Sequence, residues 1–266
     1  MTTVQLALSH HWHVPAHVFG VRTSDDVLIV GSRLGANDPE RPAVVLVHGL
    51  MGWHAKPKFA VFAEHLSEWF TVYAFDMRGH GGSGGVSDFG GAEIHDVDAV
   101  VALARREGHA RVVTVGTSQG GIAVLRHAGL LGGVDAVVGI SSLAYWDWRD
   151  GAEHNARRQL DARIGSRAGR AALRAWGVRL PEDWDEPESP EDVIGNISPT
   201  PVVIVHGNDD HLFPPDHARR LYAAAGEPKR LLLGDGFGHA EDGLTSAFGQ
   251  RLARVIHETL EVSWSE

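Results

Sequence analysis

The chain has 266 residues, 43% of them hydrophobic, enough for one large core in a single α/β domain with a modest insertion. Thirty-four acidic residues against 24 Lys and Arg give a formal net charge of −10. That disfavours nucleic acid as a partner, because phosphate binding needs a basic footprint. With no cysteine, disulfides, thiolate catalysis and Cys-ligated metals are excluded.

The first residues, MTTVQLALSHHWHVPAH, have no basic start and only a short apolar stretch broken by histidines, so no signal peptide is expected. No stretch approaches the roughly 18 apolar residues of a membrane span. The expectation is a soluble, cytoplasmic protein with no integral membrane contact. Residues 18–34 alternate in polarity around Ser24–Asp26, which predicts an antiparallel hairpin at a sheet edge. Six later runs are apolar throughout: 42–49, 71–76, 111–116, 135–141, 201–207 and 230–235. Such runs suit parallel strands covered on both faces. Helical periods lie between them. One runs through Phe59, Phe62, Leu66 and Trp69 after Pro57, and another through Ile94, Val97, Val101 and Ala104, with Gly108 as its C-cap. Residues 119–130 and 216–225 also read as helices, and Leu244, Phe248, Leu252 and Ile256 form a last stripe. Strands alternating with helices predict a doubly wound, mostly parallel α/β sheet.

Residues 145–197 break the alternation. They hold a helical period through Leu160, Ile164, Ala168 and Ala172, four of the eight tryptophans (Trp146, Trp148, Trp176, Trp184) and a proline- and acid-rich end. This reads as a helical cap inserted into a core formed by residues 1–144 and 198–266, not as an independent domain.

Ser118 sits in GTSQGG, between a predicted strand and a predicted helix. Taken alone, the segment is either a nucleophile held on a sharp turn or a glycine-rich connection that contains a serine. A serine hydroxyl needs a base, and the base needs an orienting acid. On this topology both belong on loops at the C-terminal ends of later strands. HGNDDHLFPP puts Asp209 and Asp210 beyond one such strand, and GDGFGHAED puts His239 beyond the last. The order serine, aspartate, histidine is that of the nucleophile-elbow sheets.

Over nearly its whole length the chain resembles the α/β-hydrolase superfamily. The motifs are HGLMG after the third strand, DMRGHGGS after the fourth, GTSQGG after the fifth, GNDDHLFP after the seventh and GFGHAED after the eighth. The resemblance implies an eight-stranded α/β-hydrolase fold. It implies Ser118 as nucleophile, His239 as base and, from the spacing between Gly207 and Pro214, Asp210 and not Asp209 as the acid. It also implies an oxyanion hole made by the backbone N–H groups of Leu50 and Gln119. Serine in place of aspartate argues against haloalkane dehalogenase and epoxide hydrolase chemistry. No cofactor and no metal are implied.

The reading is a serine hydrolase acting on an ester or related acyl bond of a moderately hydrophobic small molecule. The alternatives are carbon–carbon bond hydrolysis of a β-diketone or ring-fission product by the same residues, and a non-hydrolytic binding or tailoring protein on this scaffold. Met51, Trp53, Leu143, Tyr145, Trp146 and Leu212 are the expected pocket residues.

Four other features compete for a role. Asp76, Arg78 and His80 of DMRGHGGS look catalytic by composition, but in related enzymes this run is mainly a structural turn. His48 is read as ordering the oxyanion loop. His10, His11, His13 and His17 could bind a transition metal adventitiously, but no HExxH or carboxylate–histidine pattern supports a catalytic one. The insertion carries eight arginines, from Arg149 to Arg179. They read as a solvated face paired with the seven acids between Glu182 and Asp192, against the sharper reading of a basic lid for anionic substrates.

Overall fold

The computed structural model describes residues 1–146 and 164–262. Trp148, Leu160 and four of the eight insertion arginines (Arg149, Arg157, Arg158, Arg163) lie outside the described residues.

Eight strands form one sheet: β1 (Ala16–Arg22), β2 (Leu28–Leu34), β3 (Ala43–Val47), β4 (Thr71–Phe75), β5 (Val112–Thr117), β6 (Ala136–Ile140), β7 (Val202–Gly207) and β8 (Lys229–Gly234). Their order is β1-β2-β4-β3-β5-β6-β7-β8. The pairs β1–β2 and β2–β4 are antiparallel, and every other neighbouring pair is parallel. The expected hairpin is therefore β1–β2, lying at one edge. Successive strand side chains point to opposite faces. Thus Ala43, Val45 and Val47 of β3 enter one apolar core while Val44 and Leu46 enter the other. Both faces need cover, which is why these strands show no polar alternation.

Helices α3 (Glu93–Arg106) and α4 (Gln119–Leu130), with the helix Asp216–Ala224, cover the first face. Helix α2 (Pro57–Leu66) and the C-terminal helix Ser246–Val262 cover the second. Proline at the first position of α2 leaves its missing N–H where no intrahelical bond is needed. Gly108, just past the end of α3, takes φ +100°, as its predicted capping role requires. Two stripe residues fall outside their helices: Trp69 lies beyond the end of α2, and Leu244 follows the 3-10 turn Ala240–Gly243 that leads into the last helix.

A short N-terminal helix, α1 (Thr3–Leu8), was not expected. It is held by a capping box in which Thr2 and Gln5 satisfy each other's backbone N–H groups. Between β6 and β7 the described residues contain no strand. They hold the helix Arg167–Ala175, a short helix Pro190–Val193 and a 3-10 turn Ile194–Ile197. This segment is tied to the core by side chain-to-backbone bonds. The Trp176 indole donates to the Met51 carbonyl (3.1 Å) and the Trp184 indole to that of Asp88 (2.7 Å).

The strand order fixes where a ligand site belongs. From β3 the chain passes to β4 on one side, then returns to β5 on the other, so the connections after β3 and β5 diverge. Open α/β sheets bind ligands in the crevice left at such a switch point, beyond the strand C-termini. The segments that start there are Gly49–Leu50 and Ser118–Gln119.

Candidate active site

Ser118 stands between β5 and α4 with φ 53° and ψ −116°, a conformation that a non-glycine residue holds only when its surroundings enforce it. Its N–H donates to the Ile140 carbonyl (2.8 Å), and its carbonyl accepts from Ile122 N–H (3.1 Å). The turn is tight enough that a Cβ at Gly116 would overlap the Gly120 carbonyl oxygen. From the other side of the crevice, a Cβ at Gly49 would sit 3.1 Å from the Ser118 Cβ, so the backbone after β3 passes directly over the serine.

The three residues expected to act together are brought together. His239 Nε2 lies 2.9 Å from Ser118 Oγ. His239 Nδ1 lies 2.8 Å from Asp210 Oδ2 and 3.0 Å from Oδ1. Asp210 Oδ1 also accepts the N–H groups of Leu212 and Phe213, each at 2.9 Å. Burial pushes the Asp210 carboxyl up, but the His239 bond and charge and these two N–H groups outweigh it, so its pKa is lowered. The carboxylate accepts only, so the His239 proton sits on Nδ1 and the Nε2 lone pair faces the serine hydroxyl. Asp209 points elsewhere: its carboxylate accepts Gly236 N–H (2.7 Å) in the β8 loop.

Leu50 and Gln119 flank the serine. Gln119 is the first residue of α4, where the N–H groups lack intrahelical acceptors and the helix dipole is positive. Its side chain is buried, donating to Ser87 Oγ (2.7 Å) and Glu93 Oε1 (2.9 Å). Leu50 lies in a turn closed by Gly52 N–H to the Gly49 carbonyl (3.0 Å), with Met51 at φ +63°. His48 braces that turn. It accepts Met77 N–H at Nε2 (3.1 Å), leaving Nδ1 to donate to the Gly49 carbonyl (2.8 Å). Burial, with the His80 ring 5.0 Å away, pushes His48 down to about 3, so it is neutral.

These residues open onto a cavity of about 300 Å³. Of the expected pocket residues, Met51, Leu143, Trp146 and Leu212 line it. Trp53 and Tyr145 do not, and both are corrections. Trp53 is buried beneath the turn, where its indole donates to Ser9 Oγ (3.0 Å) and its ring meets Trp176 edge-on. Tyr145 packs behind the lining against His217, with Arg220 4.0 Å over its ring. The reading missed Phe89, Ile122 and Phe213, which add apolar wall, and Lys56 and Glu241, an ion pair at 2.9 Å on the cavity wall. Met51, Phe89, Ser118 and Ala240 all line the cavity, and all hold positive φ (63°, 63°, 53° and 46°). Ala240, next to His239, is fixed by its N–H to Ser141 Oγ (3.0 Å). Buried Arg126 steadies the Phe89 loop through the carbonyls of Gly90 and Gly91.

The DMRGHGGS residues are in none of this lining. Asp76 accepts the N–H groups of His54 and Gly82 (both 2.7 Å), Arg78 is shared between Asp25 and Asp96, and His80 bonds the Arg78 carbonyl. Nor do the described insertion arginines follow the expected pairing throughout. Arg170 and Arg179 donate to backbone carbonyls, of Ile164 and Pro181 and of Ser83 and Gly85, while Glu191 pairs with Arg220.

A family model described as alpha/beta hydrolase family matches residues 44–261. A protein of Escherichia coli O157:H7 called uncharacterized protein YfhR is 31% identical over 169 residues, covering 62% of this chain and 51% of that one. The chain thus spans about half the length of the curated relatives it matches. Among solved structures, Pyrococcus furiosus esterase Pf2001 aligns with a TM-score of 0.73 at 19% identity, covering 95% of this chain and 96% of the other. Esterase RhEst1 from Rhodococcus sp. ECU1013 gives 0.68 at 18%, covering 92% and 98%. At these identities the likeness is one of fold. Among the described residues no helix is long and apolar enough to cross a membrane.

Proposed function

Because this chain belongs to the alpha/beta hydrolase family, we propose that it is a serine hydrolase that cleaves a carboxylic ester or related acyl bond of a small, moderately hydrophobic molecule. The observation that carries the reading is the line Ser118 Oγ–His239 Nε2–Asp210, at 2.9 and 2.8 Å, in the wall of an apolar cavity.

Ser118 attacks the acyl carbonyl while His239 Nε2 takes the hydroxyl proton. Asp210 holds the required tautomer and stabilises the imidazolium that forms. The oxyanion is received by the N–H groups of Gln119 and Leu50. Donors of this kind are worth about 3–4 kcal/mol each in the transition state. The side-chain bonds of Gln119 to Ser87 and Glu93, and the bracing of the Leu50 turn by His48, keep both donors in place before substrate arrives. His239 then passes its proton to the leaving group, which departs and leaves an acyl-serine. Water, deprotonated by the same nitrogen, releases the acid. The cavity takes a modest acyl or aryl group between Leu143, Ile122 and Phe89, beside Trp146 at the start of the inserted segment.

The test is labelling by a fluorophosphonate probe and turnover of p-nitrophenyl esters of graded acyl length. The intact protein should be labelled stoichiometrically and show a preference for medium-length chains. Ser118→Ala should lose both labelling and turnover while remaining folded. Labelling that survives Ser118→Ala overturns the nucleophile. Stoichiometric labelling without ester turnover, but with cleavage of a β-diketone, assigns the same residues to carbon–carbon bond hydrolysis.

A further inference from the structure

The segment between α1 and β1 carries His10, His11 and His13, and it packs against the start of α2. His10 N–H donates to the Ala55 carbonyl (2.8 Å), and the Trp12 ring stacks on His54 with centroids 6.2 Å apart. This packing brings two of the histidines to Glu64, on α2. His10 Nε2 lies 3.1 Å from Glu64 Oε2, and His13 Nδ1 lies 3.4 Å from the same oxygen. The three atoms all fall within 4.8 Å of one another. His10 Nε2 is buried and makes no well-formed hydrogen bond.

We propose that His10, His13 and Glu64 form a binding site for a divalent transition cation of the zinc type, which clamps the N-terminal segment onto α2. Zinc takes imidazole nitrogen and carboxylate oxygen at about 2.0–2.1 Å, so a tetrahedral site separates neighbouring ligand atoms by about 3.3–3.4 Å. The two nitrogen–oxygen gaps, 3.1 and 3.4 Å, bracket that spacing. The nitrogen–nitrogen gap has to close by about 1.4 Å at most to reach it, and the His13 side chain, 77% exposed, is free to swing. The fourth position falls to water. Hard cations prefer an all-oxygen shell, so calcium and magnesium do not suit two imidazoles.

The surroundings match what such a ligand set needs. Glu64 Oε1 accepts the His13 N–H (2.5 Å), which orients the carboxylate and leaves Oε2 for the ion. None of the three residues lines the cavity at Ser118, so the role is mechanical. The clamp fastens the segment that packs on Trp53, at the base of the Leu50 turn.

The test uses the full, untagged chain, stripped of metal with a chelator and dialysed. Zinc and cobalt titrations by calorimetry should each saturate at one ion per chain, and zinc should raise the melting temperature where magnesium does not. Bound cobalt should show the visible absorption of a tetrahedral site. His13→Ala, at an exposed position, should weaken zinc at least about tenfold and remove the thermal gain, as should Glu64→Gln. His11→Ala should leave both unchanged. The proposal is overturned if binding does not saturate, if His13→Ala retains wild-type affinity, or if His11→Ala costs as much as His13→Ala. Any of these would mean that the three groups make only imidazole–carboxylate contacts.

Discussion

Replacing Asp210 by asparagine tests the proposed chemistry at one atom. Asp210 Oδ1 accepts two backbone N–H groups, from Leu212 and Phe213 at 2.9 Å each. An amide nitrogen there would face two donors, so the asparagine oxygen must take that place. The NH2 then occupies the Oδ2 position, 2.8 Å from His239 Nδ1. It can only donate, and it is the nearer of the two atoms, the oxygen lying 3.0 Å from Nδ1, so His239 is biased to accept at Nδ1 and to carry its proton on Nε2, pointing at Ser118 Oγ. The fold survives, but the base has no lone pair for the serine proton. A wrong-tautomer histidine in a triad of this type costs about 10⁴-fold in kcat. That is about 5.4 kcal/mol of transition-state stabilisation. The assay is steady-state hydrolysis of a short p-nitrophenyl ester, with circular dichroism to show that the variant is folded. Asp209→Asn is the control, since that carboxylate only receives Gly236 N–H and an amide oxygen can do the same. A kcat loss of about tenfold or less in folded Asp210→Asn protein, or an equal loss in Asp209→Asn, would refute the reasoning.

Ser141→Ala leaves the buried N–H of Ala240 without its acceptor, a cost of about 1–3 kcal/mol, and loosens His239. The expected result is a lower kcat with little change in KM; a change in KM alone would contradict a positioning role. Gly116→Ala drives a methyl group into the Gly120 carbonyl, and chemical denaturation should show a loss of several kcal/mol, about 3 or more, or no folded protein at all. Burial holds His48 at about 3 and His80 and His217 at about 4, against 6.5 for the ordinary histidine, so unfolding takes up protons in mild acid. Their contribution is full above the ordinary value and drains as the pH falls towards 4, by about 1.4 kcal/mol per pH unit for each histidine. His217→Asn keeps an acceptor for Ala144 N–H and should flatten the pH dependence of urea stability by one proton's worth; an unchanged slope would count against a neutral His217.

What could be read from the sequence was what backbone pattern controls. Strands buried on both faces have to be apolar throughout, so 42–49 and 201–207 announce themselves, and the loops that follow them inherit a place at the crevice. Side-chain direction within those loops is another matter. Trp53 adjoins the Leu50 turn, but Met51 at φ +63° redirects the chain, and Trp53 goes under the turn instead of into the cavity. Phe89 belongs to a long connection without periodicity, and Lys56 meets Glu241 across 185 positions, a pairing that no local pattern encodes. The α1 helix did carry a readable signal, since Thr2 and Gln5 have the spacing of a capping box. Glu64 carries no sequence signal of its own, since His13 lies 51 positions away and only the fold brings the two together.

The four cavity residues in left-handed backbone bear on how this protein would respond to selection. Each non-glycine residue held there costs about 1–3 kcal/mol. Against a net stability of about 5–15 kcal/mol, that is a substantial share concentrated around one cavity. Glycine at Met51 or Phe89 would relieve it, while also removing side chains that line the cavity. A population bred for heat tolerance with no substrate present should therefore drift towards glycine at these positions and lose chain-length discrimination first. Breeding on a preferred ester should hold the bulky residues and accept a lower melting point.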